Sequence, residues 1–448
     1  MDKQVNGRFL QLVKPNDGQE KTLAESLNIN TGTQLQNMPD DCLFEIFAMR
    51  SFDLMDMCSI AATCKRFRSI AQYIVGKTIC FKGARYSSFK SAKFEHKTDK
   101  PSDIETIFRN FGSCLSTVFV IGNTERQDGF LFSLIVMHCE DVLKSLCLIH
   151  LSISATLAKD LKPVFKRLNT LSLSSVSIEG NKSTFEELDS LVELDVTRVK
   201  DCSTILENIF PNLKRFTYQK DKIEMVEQCA DSADQDHQSL ETFSIFIERH
   251  SALHSLDIDF ECDQNGWMRI LQTIGDSCPK LQKLTVGTGC NRHSYSSDLL
   301  RPLQPLKSLR IMKLTGVAFK DFQVFESLAA LRELELQHCC LPKADQFACL
   351  AQITNLSLNG SQSPSGTFDM ADVIRQLVNL ERFLALKLVA LDAHTLSKIV
   401  SIVKERSSVL TLVCACEPTV DCEEAFQKSN GHIVVRAEDR YVSTCSFP

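Results

Sequence analysis

The longest pattern in the chain is a hydrophobic repeat of the form leucine–x–x–leucine–x–leucine. It recurs about twelve times from residue 111 onward. Clear copies begin at Leu143, Leu168, Leu191, Leu213, Leu253, Leu281, Leu309, Leu331 and Ile353, and weaker copies at Leu115, Leu380 and Val409. Most successive copies start about 22 to 29 residues apart, a period typical of solenoids in which each repeat stacks on its neighbours.

The copy that begins at Leu331 shows how one repeat is organised. Leu331, Leu334 and Leu336 predict a short strand with inward-facing leucines. Cys339 takes the turn position where leucine-rich repeats use Asn or Cys, and Leu341 closes the core. A structural role in the turn therefore explains Cys339 better than a chemical role does. The fold class predicted is α/β, a curved leucine-rich-repeat solenoid with parallel strands on its concave side and mostly helices on its convex side.

Helical patterns lie between the predicted strands. One stripe with the spacing i, i+3, i+4, i+7 consists of Trp267, Ile270, Leu271 and Ile274. It places Trp267, the single tryptophan, in the convex-side core; an exposed anchor for a partner is the alternative.

The step from Leu213 to Leu253 is longer than the others, about 40 residues. It holds an acidic insert at 221–236. We interpret Ser239 to His250 as the helix that precedes the next strand, although part of it imitates the repeat.

The hydrophobic pattern changes in residues 38–75, which predict three short helices. Pro39 suits a first helical position, and Asp53 can cap a second helix that begins at Leu54. The third helix has an apolar stripe at Phe67, Ile70, Ala71 and Ile74. The first helix is apolar on nearly every side, at Cys42, Leu43, Phe44, Ile46, Phe47 and Ala48. Because its two neighbours can cover only one face, this unit is predicted to dock a partner; a generic three-helix fragment is the alternative.

The same stretch resembles the F-box family. The matching residues are Met38-Pro39, Leu43, Ile46-Phe47, Asp53-Leu54 and Cys64-Lys65-Arg66-Phe67. Arg50 stands where a Leu is usual, in a segment one residue short, and Phe67 replaces the frequent Trp. The resemblance implies binding to the small adaptor that hangs F-box proteins on a cullin-RING scaffold. The residues expected to bind the adaptor are Met38, Pro39, Leu43, Phe44, Ile46, Phe47, Leu54, Cys64 and Phe67.

Four segments follow from these patterns. Residues 1–34 are polar and aperiodic and predict a mobile N-terminal tail. The F-box is assigned to 35–81, including a strand at its end, a connector to 82–110 and the repeats to 111–448. The connector interleaves basic and aromatic residues, as nucleic-acid-binding segments do, but its acidic residues dilute that charge.

Composition narrows the function classes. The chain has 448 residues, 44% of them hydrophobic and 24% charged, and a net charge of -6, which gives no global attraction to nucleic acid or anionic membranes. No apolar run is long enough for a membrane span or a secretory signal. We therefore expect the 19 cysteines to be free thiols in a cytosolic or nuclear protein.

Motifs for catalysis or cofactors are missing from the sequence. It contains no phosphate-binding loop, nucleophile elbow, HExxH or paired CxxC. The nearest candidate zinc ligands are Cys414, Cys416, Cys422 and His432. Cys414 is already needed by a repeat, so we expect no metal, no cofactor and no enzyme. Cys445 begins a weak match to a prenylation box, whose final Pro448 is atypical.

An F-box followed by leucine-rich repeats resembles the substrate receptors of cullin-RING (SCF-type) ubiquitin ligases. That resemblance implies that the repeats capture a protein substrate. We expect the substrate on the concave strands between Leu281 and Leu358, where the repeat spacing is most regular. The candidate residues are Lys283, Arg310, Lys313, Arg332 and Glu335. Two alternatives stay open: the insert at 221–236 as the recognition loop, and an interaction scaffold or inhibitor that joins no ligase.

Overall fold

The computed structural model divides into two compact units, Met1–Ile74 and Val75–Pro448. The residues whose structure is described are 35–48, 52–83, 94–97, 100–122, 128–179, 182–200, 202–220, 233–260, 262–287, 295–362, 369–384, 393–406, 409–414 and 433–437. The expected tail at 1–34 and most of the insert at 221–236 lie outside the described residues.

The first unit contains the three predicted helices. They span Asp40–Phe47, Leu54–Thr63 and Lys65–Val75, after a short 3-10 turn at Leu35–Asn37. Asp53 begins the second helix through a reciprocal capping box, in which its carboxylate accepts from the Asp56 N–H at 2.8 Å and the Asp56 carboxylate accepts from the Asp53 N–H at 3.0 Å. The predicted cap at Asp53 is therefore confirmed.

The second unit is built on one parallel sheet of fifteen described strands. The strands are Thr78–Lys82, Phe94–Lys97, Thr117–Ile121, Ser145–Ile149, Thr170–Ser174, Glu193–Thr197, Arg215–Gln219, Ser255–Asp259, Lys283–Gly287, Ile311–Thr315, Glu333–Gln337, Asn355–Asn359, Arg382–Leu384, Leu410–Cys414 and Ile433–Ala437. From 117 onward each strand pairs with the next one in the chain, as stacking of successive repeats requires. The leucine-rich-repeat solenoid is confirmed.

Strand residues alternate between two faces. In Glu333–Gln337, Leu334 and Leu336 are buried, whereas the first, third and fifth side chains point to the opposite face. The same alternation recurs in most of the repeat strands. We call the face that carries the first, third and fifth side chains the open face; it corresponds to the predicted concave side.

Helices and 3-10 segments connect the strands. The helices are Pro101–Phe111, Asp128–Cys139, Ala155–Phe165, Ser203–Leu206, Ala233–Arg249, Gln264–Ser277, Met370–Gln376 and Ala393–Lys404. The 3-10 segments are Gly112–Cys114, Lys182–Phe185, Ser297–Leu303, Gln323–Phe325 and Ala344–Leu350. Trp267 is fully buried and stacks on Phe260 at 4.7 Å between ring centroids, which confirms the core interpretation. The helix predicted at Ser239–His250 is also present but begins earlier and spans Ala233–Arg249.

A repeated turn follows many strands. The residue after the strand has a positive φ at Gly122, His150, Ser175, Arg198, Gly316, His338 and Gly360. In six of these turns, as in the turn at His338, its N–H donates to the carbonyl of the last residue of the next strand, at 2.9 Å in the His338 turn. One residue later Cys339 is buried, and its N–H donates to the Ser361 hydroxyl at 3.1 Å. Cys339 is thus a structural turn residue, as predicted.

Two short strand pairs extend this turn region. Ser152–Ile153 pairs with Ser177–Ile178, and Tyr295–Ser296 pairs with Val317–Ala318. The strands that begin at Ser152, Ser177 and Val317 follow turns, and each pair joins neighbouring repeats.

The sheet reaches into the segment expected to be a connector. Phe94–Lys97 pairs with Thr78–Lys82 at the edge of the sheet, and Pro101–Phe111 is a helix with a buried face. Lys82 is almost fully buried and forms an ion pair with Glu95 at 2.7 Å, which satisfies its charge. In the described part of the chain, no helix is both long and apolar enough to cross a bilayer.

Candidate adaptor and substrate sites

The nine residues expected to bind the adaptor divide into two sets. Leu43, Phe47, Leu54 and Phe67 are buried, whereas Met38, Pro39, Phe44, Ile46 and Cys64 keep part or most of their surface exposed. The rings of Phe47 and Phe67 pack edge to face at 5.3 Å, which holds the first helix against the third. The buried set builds the unit, and the exposed set is left to meet a partner.

The first helix is less apolar than its sequence suggested. Asp41 and Glu45 are exposed on the side opposite its buried stripe of Leu43 and Phe47. At 100° per residue, Pro39 and Ile46 lie on one flank of that stripe and Phe44 lies on the other. The expectation of an apolar surface on nearly every side is therefore wrong; the apolar surface left for a partner is on the two flanks.

The flank at Phe44 includes a residue that the sequence reasoning missed. The Tyr73 ring meets Phe44 edge to face at 4.8 Å and is 75% exposed. Leu35, just before the first helix, is also an exposed large apolar residue. Around the third helix Tyr73 lies outside the buried stripe, so the helical period could have indicated an exposed aromatic ring at this position.

Arg66 fixes the start of the first helix. Its guanidinium donates to the Asp40 carboxylate at 2.7 Å and to the Met38 carbonyl oxygen at 2.5 Å. Cys64 accepts from the Phe67 N–H at 3.4 Å, at the beginning of the third helix. The Cys64–Phe67 motif thus also orients Pro39 and its flank.

The five predicted substrate residues do not converge on one surface. Lys283, Lys313 and Glu335 lie on the open face, at first or third strand positions. Arg310 and Arg332 lie one residue before their strands, at the leading edge of the sheet. The Arg332 guanidinium donates to the carbonyls of Ala329 and Leu331, behind the strand. The five residues thus lie on or beside three neighbouring strands, three of them on the open face and two at the leading edge.

A groove on the open face contains two of them. It has a volume of about 210 Å³ and crosses the strands from Ile311–Thr315 to Arg382–Leu384. Lys313 and Glu335 form an ion pair in it, with Nζ and Oε2 2.6 Å apart. Its other polar and apolar residues include Ile311, Glu333, Asn355, Ser357, Arg382 and Leu384. This mixture of charge, hydroxyl and apolar surface suits a peptide side chain.

The preceding strands carry partly buried carboxylates. Asp195 accepts hydrogen bonds from the hydroxyls of Ser172, at 2.9 Å, and Thr197, at 2.7 Å. Burial raises the pKa of Asp195 above its ordinary value, and these two bonds lower it only in part. Burial likewise raises the pKa of Asp257, against the attraction of Lys283. Carboxylates retained against a desolvation cost are candidates for function.

The substitution Asp195→Asn tests how much burial of the Asp195 carboxylate costs in stability. Because the folded-state pKa is raised, protonation favours folding, so this group adds most stability at low pH and loses it as pH rises through the folded pKa. At neutral pH the substitution is expected to leave the free energy of unfolding unchanged or raise it by up to about 1 kcal/mol. Urea denaturation across pH measures this. The difference from wild type should shrink as the pH falls; the exposed Asp189→Asn is the control, and a clear loss of stability at neutral pH would contradict the account.

The Cys147 thiol interacts electrostatically with this carboxylate and is not an activated nucleophile. It interacts with the Ser172 hydroxyl, but burial and the Asp195 charge hold its pKa at about 11. Thiolates are the reactive form, so Cys147 is unreactive at neutral pH. No cluster of three or more metal-ligating side chains occurs in the described residues; Cys416, Cys422 and His432 of the zinc candidate lie outside them.

Thiol labelling checks this arrangement. Burial raises the pKa of Cys278 to about 12 and that of Cys339 to about 11, whereas Cys42 is exposed on the first helix. Iodoacetamide is expected to alkylate Cys42 first in the native protein and to reach Cys278 and Cys339 only on unfolding. Mass spectrometry of timed samples measures the order. Equal labelling rates, or native disulfides at these positions, would contradict it.

A family model matches the three-helix unit. Residues 35–75 match the family model of the F-box domain. No curated protein matches the chain. The solved structures that the chain matches include the internalin inlF of Listeria monocytogenes, with 14% identity, a TM-score of 0.41 and coverage of 78% of this chain and 91% of that one. Internalin C2 of the same organism has 13% identity, a TM-score of 0.28 and coverage of 54% and 80%.

The chain therefore carries an F-box domain followed by a leucine-rich-repeat solenoid. The strand pairing of this chain shows the repeat fold, and the family match shows the F-box.

Proposed function

We propose that the protein is the substrate-recognition subunit of a cullin-RING (SCF-type) ubiquitin ligase. The observation that carries the proposal is the F-box match at 35–75, on a three-helix unit whose first helix leaves Pro39, Phe44 and Ile46 exposed. The partners are the small F-box-binding adaptor, the cullin-RING scaffold reached through it, and a protein substrate. No cofactor, nucleic acid or membrane takes part, and the protein works in the cytosol or nucleus.

The mechanism is proximity, because the receptor itself makes and breaks no bond. The solenoid is a rigid stack: each strand pairs in register with the next across the sheet, so a substrate held on it has a restricted position. Docking of the F-box on the adaptor then places substrate lysines within reach of a ubiquitin-charged enzyme. Holding reactants together in this way raises the effective concentration of the acceptor.

The substrate site proposed is the open-face groove around Lys313 and Glu335, with Lys283 beside it. This surface is continuous with regular strands, so it loses little conformational entropy on binding. Arg310 and Arg332 contribute from the leading edge, by attraction at longer range.

A leucine-rich-repeat scaffold or inhibitor that joins no ligase is the second candidate. The observation in its favour is the departure of the sequence between Phe47 and Asp53, where Arg50 replaces a usual Leu. Arg50 itself lies outside the described residues.

Affinity purification of the tagged full-length chain from cells separates the two. A ligase receptor is expected to bring down the adaptor and the cullin together in defined proportion. Recovery of the folded chain with other proteins but without adaptor and cullin would favour the scaffold.

A further inference from the structure

Four side chains occupy one register position on four successive strands of the open face. They are Thr285, Lys313, Glu335 and Ser357. The ion pair forms the middle of this row. The hydroxyl oxygens of Thr285 and Ser357, on its two sides, are buried and have no hydrogen-bond partner within the described ranges. Buried polar groups without partners are costly, so two of them beside an ion pair point to a polar ligand.

The ion pair is asymmetric. Glu335 also accepts a hydrogen bond from the Gln337 side-chain amide at 2.6 Å. Lys313 has Glu335 as its one ion-pair partner in the described part of the chain, and Asp257 acts on it only through space. If a ligand anion pairs with Lys313 and breaks the ion pair, Glu335 still accepts the hydrogen bond from Gln337. If a ligand cation pairs with Glu335 instead, Lys313 loses its ion-pair partner. The arrangement therefore favours an anionic ligand group.

The surface around the groove carries an excess of positive charge, which also favours an anionic ligand. On the open face and leading edge from 283 to 384 the cations are Lys283, Arg310, Lys313, Arg332 and Arg382, against the carboxylates Glu333, Glu335 and Glu381. The strands from 193 to 259 carry more acid, with Glu193, Asp195, Asp257 and Asp259 against Lys214 and Arg215. This local excess of positive charge contrasts with the net charge of the whole chain, which is -6. An acidic segment is therefore attracted to the groove and repelled by the preceding strands.

Apolar residues complete the groove. Ile311 and Leu384 line it at its two ends, with Asn355 and Ser357 between them. Successive side chains of an extended peptide point in opposite directions, so every second residue can reach one surface. The groove, with a volume of about 210 Å³, has room for one or two peptide side chains but not for a folded domain.

We propose that this groove binds an extended, acidic peptide segment of a protein. One Asp or Glu carboxylate of the segment pairs with Lys313. It also accepts from the Ser357 hydroxyl after the Ser357 side chain, which lines the groove, rotates from its buried rotamer. A nearby apolar side chain packs on Ile311 or Leu384. This inference rests on the proposed function in one respect: the protein that contains the acidic segment is taken to be the ubiquitylation substrate.

The test uses the full-length chain and a fluorescein-labelled peptide of alternating Glu and Leu. Matched peptides carry Lys or Gln in place of Glu, and fluorescence anisotropy measures affinity. The Glu/Leu peptide is expected to bind at least about tenfold more tightly than the other two, and more weakly as salt is raised. Equal or tighter binding of the Lys/Leu peptide, or no binding of the Glu/Leu peptide below about 1 mM, would overturn the proposal.

Two variants locate the binding. Lys313→Met is expected to weaken the Glu/Leu peptide about tenfold, and Ser357→Ala severalfold. Ser357→Ala should not lower the thermal midpoint, because its hydroxyl has no bond to lose, so its effect on affinity separates binding from folding. Lys159→Met, an exposed lysine on Ala155–Phe165, is the matched control and should change nothing. Wild-type affinity in both groove variants would overturn the assignment.

Adaptor capture by the same preparations separates this inference from the proposed function. Adaptor binding without peptide binding would refute the groove alone. Peptide binding without adaptor binding would refute the ligase role and leave the acidic-peptide site in place.

Discussion

Gly275→Ala is expected to lower the free energy of unfolding of the repeat unit by about 1 to 3 kcal/mol. Gly275 is buried in the helix Gln264–Ser277, and a Cβ at this position would overlap the carbonyl oxygen of Pro302 in the next repeat. The obstacle is backbone, which cannot rotate away as a flexible side chain can. The helix would have to move out and loosen the packing between two neighbouring repeats.

The sign of this effect separates packing from helix propensity. In an isolated helix the same substitution would stabilise by about 1 kcal/mol, because alanine is the better helix former. Gly129→Ala is the matched control: Gly129 lies near the start of Asp128–Cys139, where a Cβ would have no neighbour within 4 Å. Urea denaturation followed by circular dichroism measures both. Wild-type stability of Gly275→Ala would show that these repeats do not pack as closely as described.

Pro39→Ala combined with Ile46→Ala is expected to abolish adaptor binding while the protein stays folded. Both side chains lie on one flank of the first helix and are at least partly exposed, so their removal leaves the buried stripe in place. Truncated interface anchors typically cost about 2 kcal/mol or more each, which for two such residues removes binding at working concentrations. A pull-down with purified adaptor measures the loss.

Two further variants interpret that pull-down. Ile245→Ala removes an exposed apolar side chain from the solenoid and should bind adaptor normally. Phe47→Ala should also lose the adaptor, but through loosening of the helical unit, since Phe47 is buried against Phe67. Undiminished binding by the double variant would remove the Pro39 flank from the proposed interface.

The repeat strands could be predicted from the sequence because their inward residues are leucines at a fixed spacing. From Leu143 to Leu358 every predicted copy contains a described strand. The edge strand at 94–97 could not be predicted, since its sequence, Phe-Glu-His-Lys, has one buried apolar residue and acquires its order from pairing with 78–82. Long-range pairing of this kind overrides local propensity.

The turns after the strands show a second limit. Gly316 and Gly360 signal a positive φ, but His150, Ser175 and Arg198 adopt the same conformation without a glycine. Tertiary contacts impose the positive φ on these three residues, because the N–H of each donates to the carbonyl of the last residue of the next strand. Local sequence carries no sign of that bond.

The proposed substrate site was predictable only in part, for a geometric reason. In the pattern leucine–x–x–leucine the two intervening residues look alike, yet the strand begins at the second of them. Arg310 therefore precedes its strand and lies at the edge, whereas Lys313, between the second and third leucine-type positions, reaches the open face. The partnerless hydroxyls of Thr285 and Ser357 have no signature in a sequence.

Calorimetric titration of the purified full-length chain with the purified adaptor tests whether the F-box of this chain docks the adaptor. We expect saturable binding of one adaptor per chain, lost in the Pro39→Ala, Ile46→Ala double variant and retained in Lys313→Met. A chain that is folded by circular dichroism and yet binds no adaptor would contradict it.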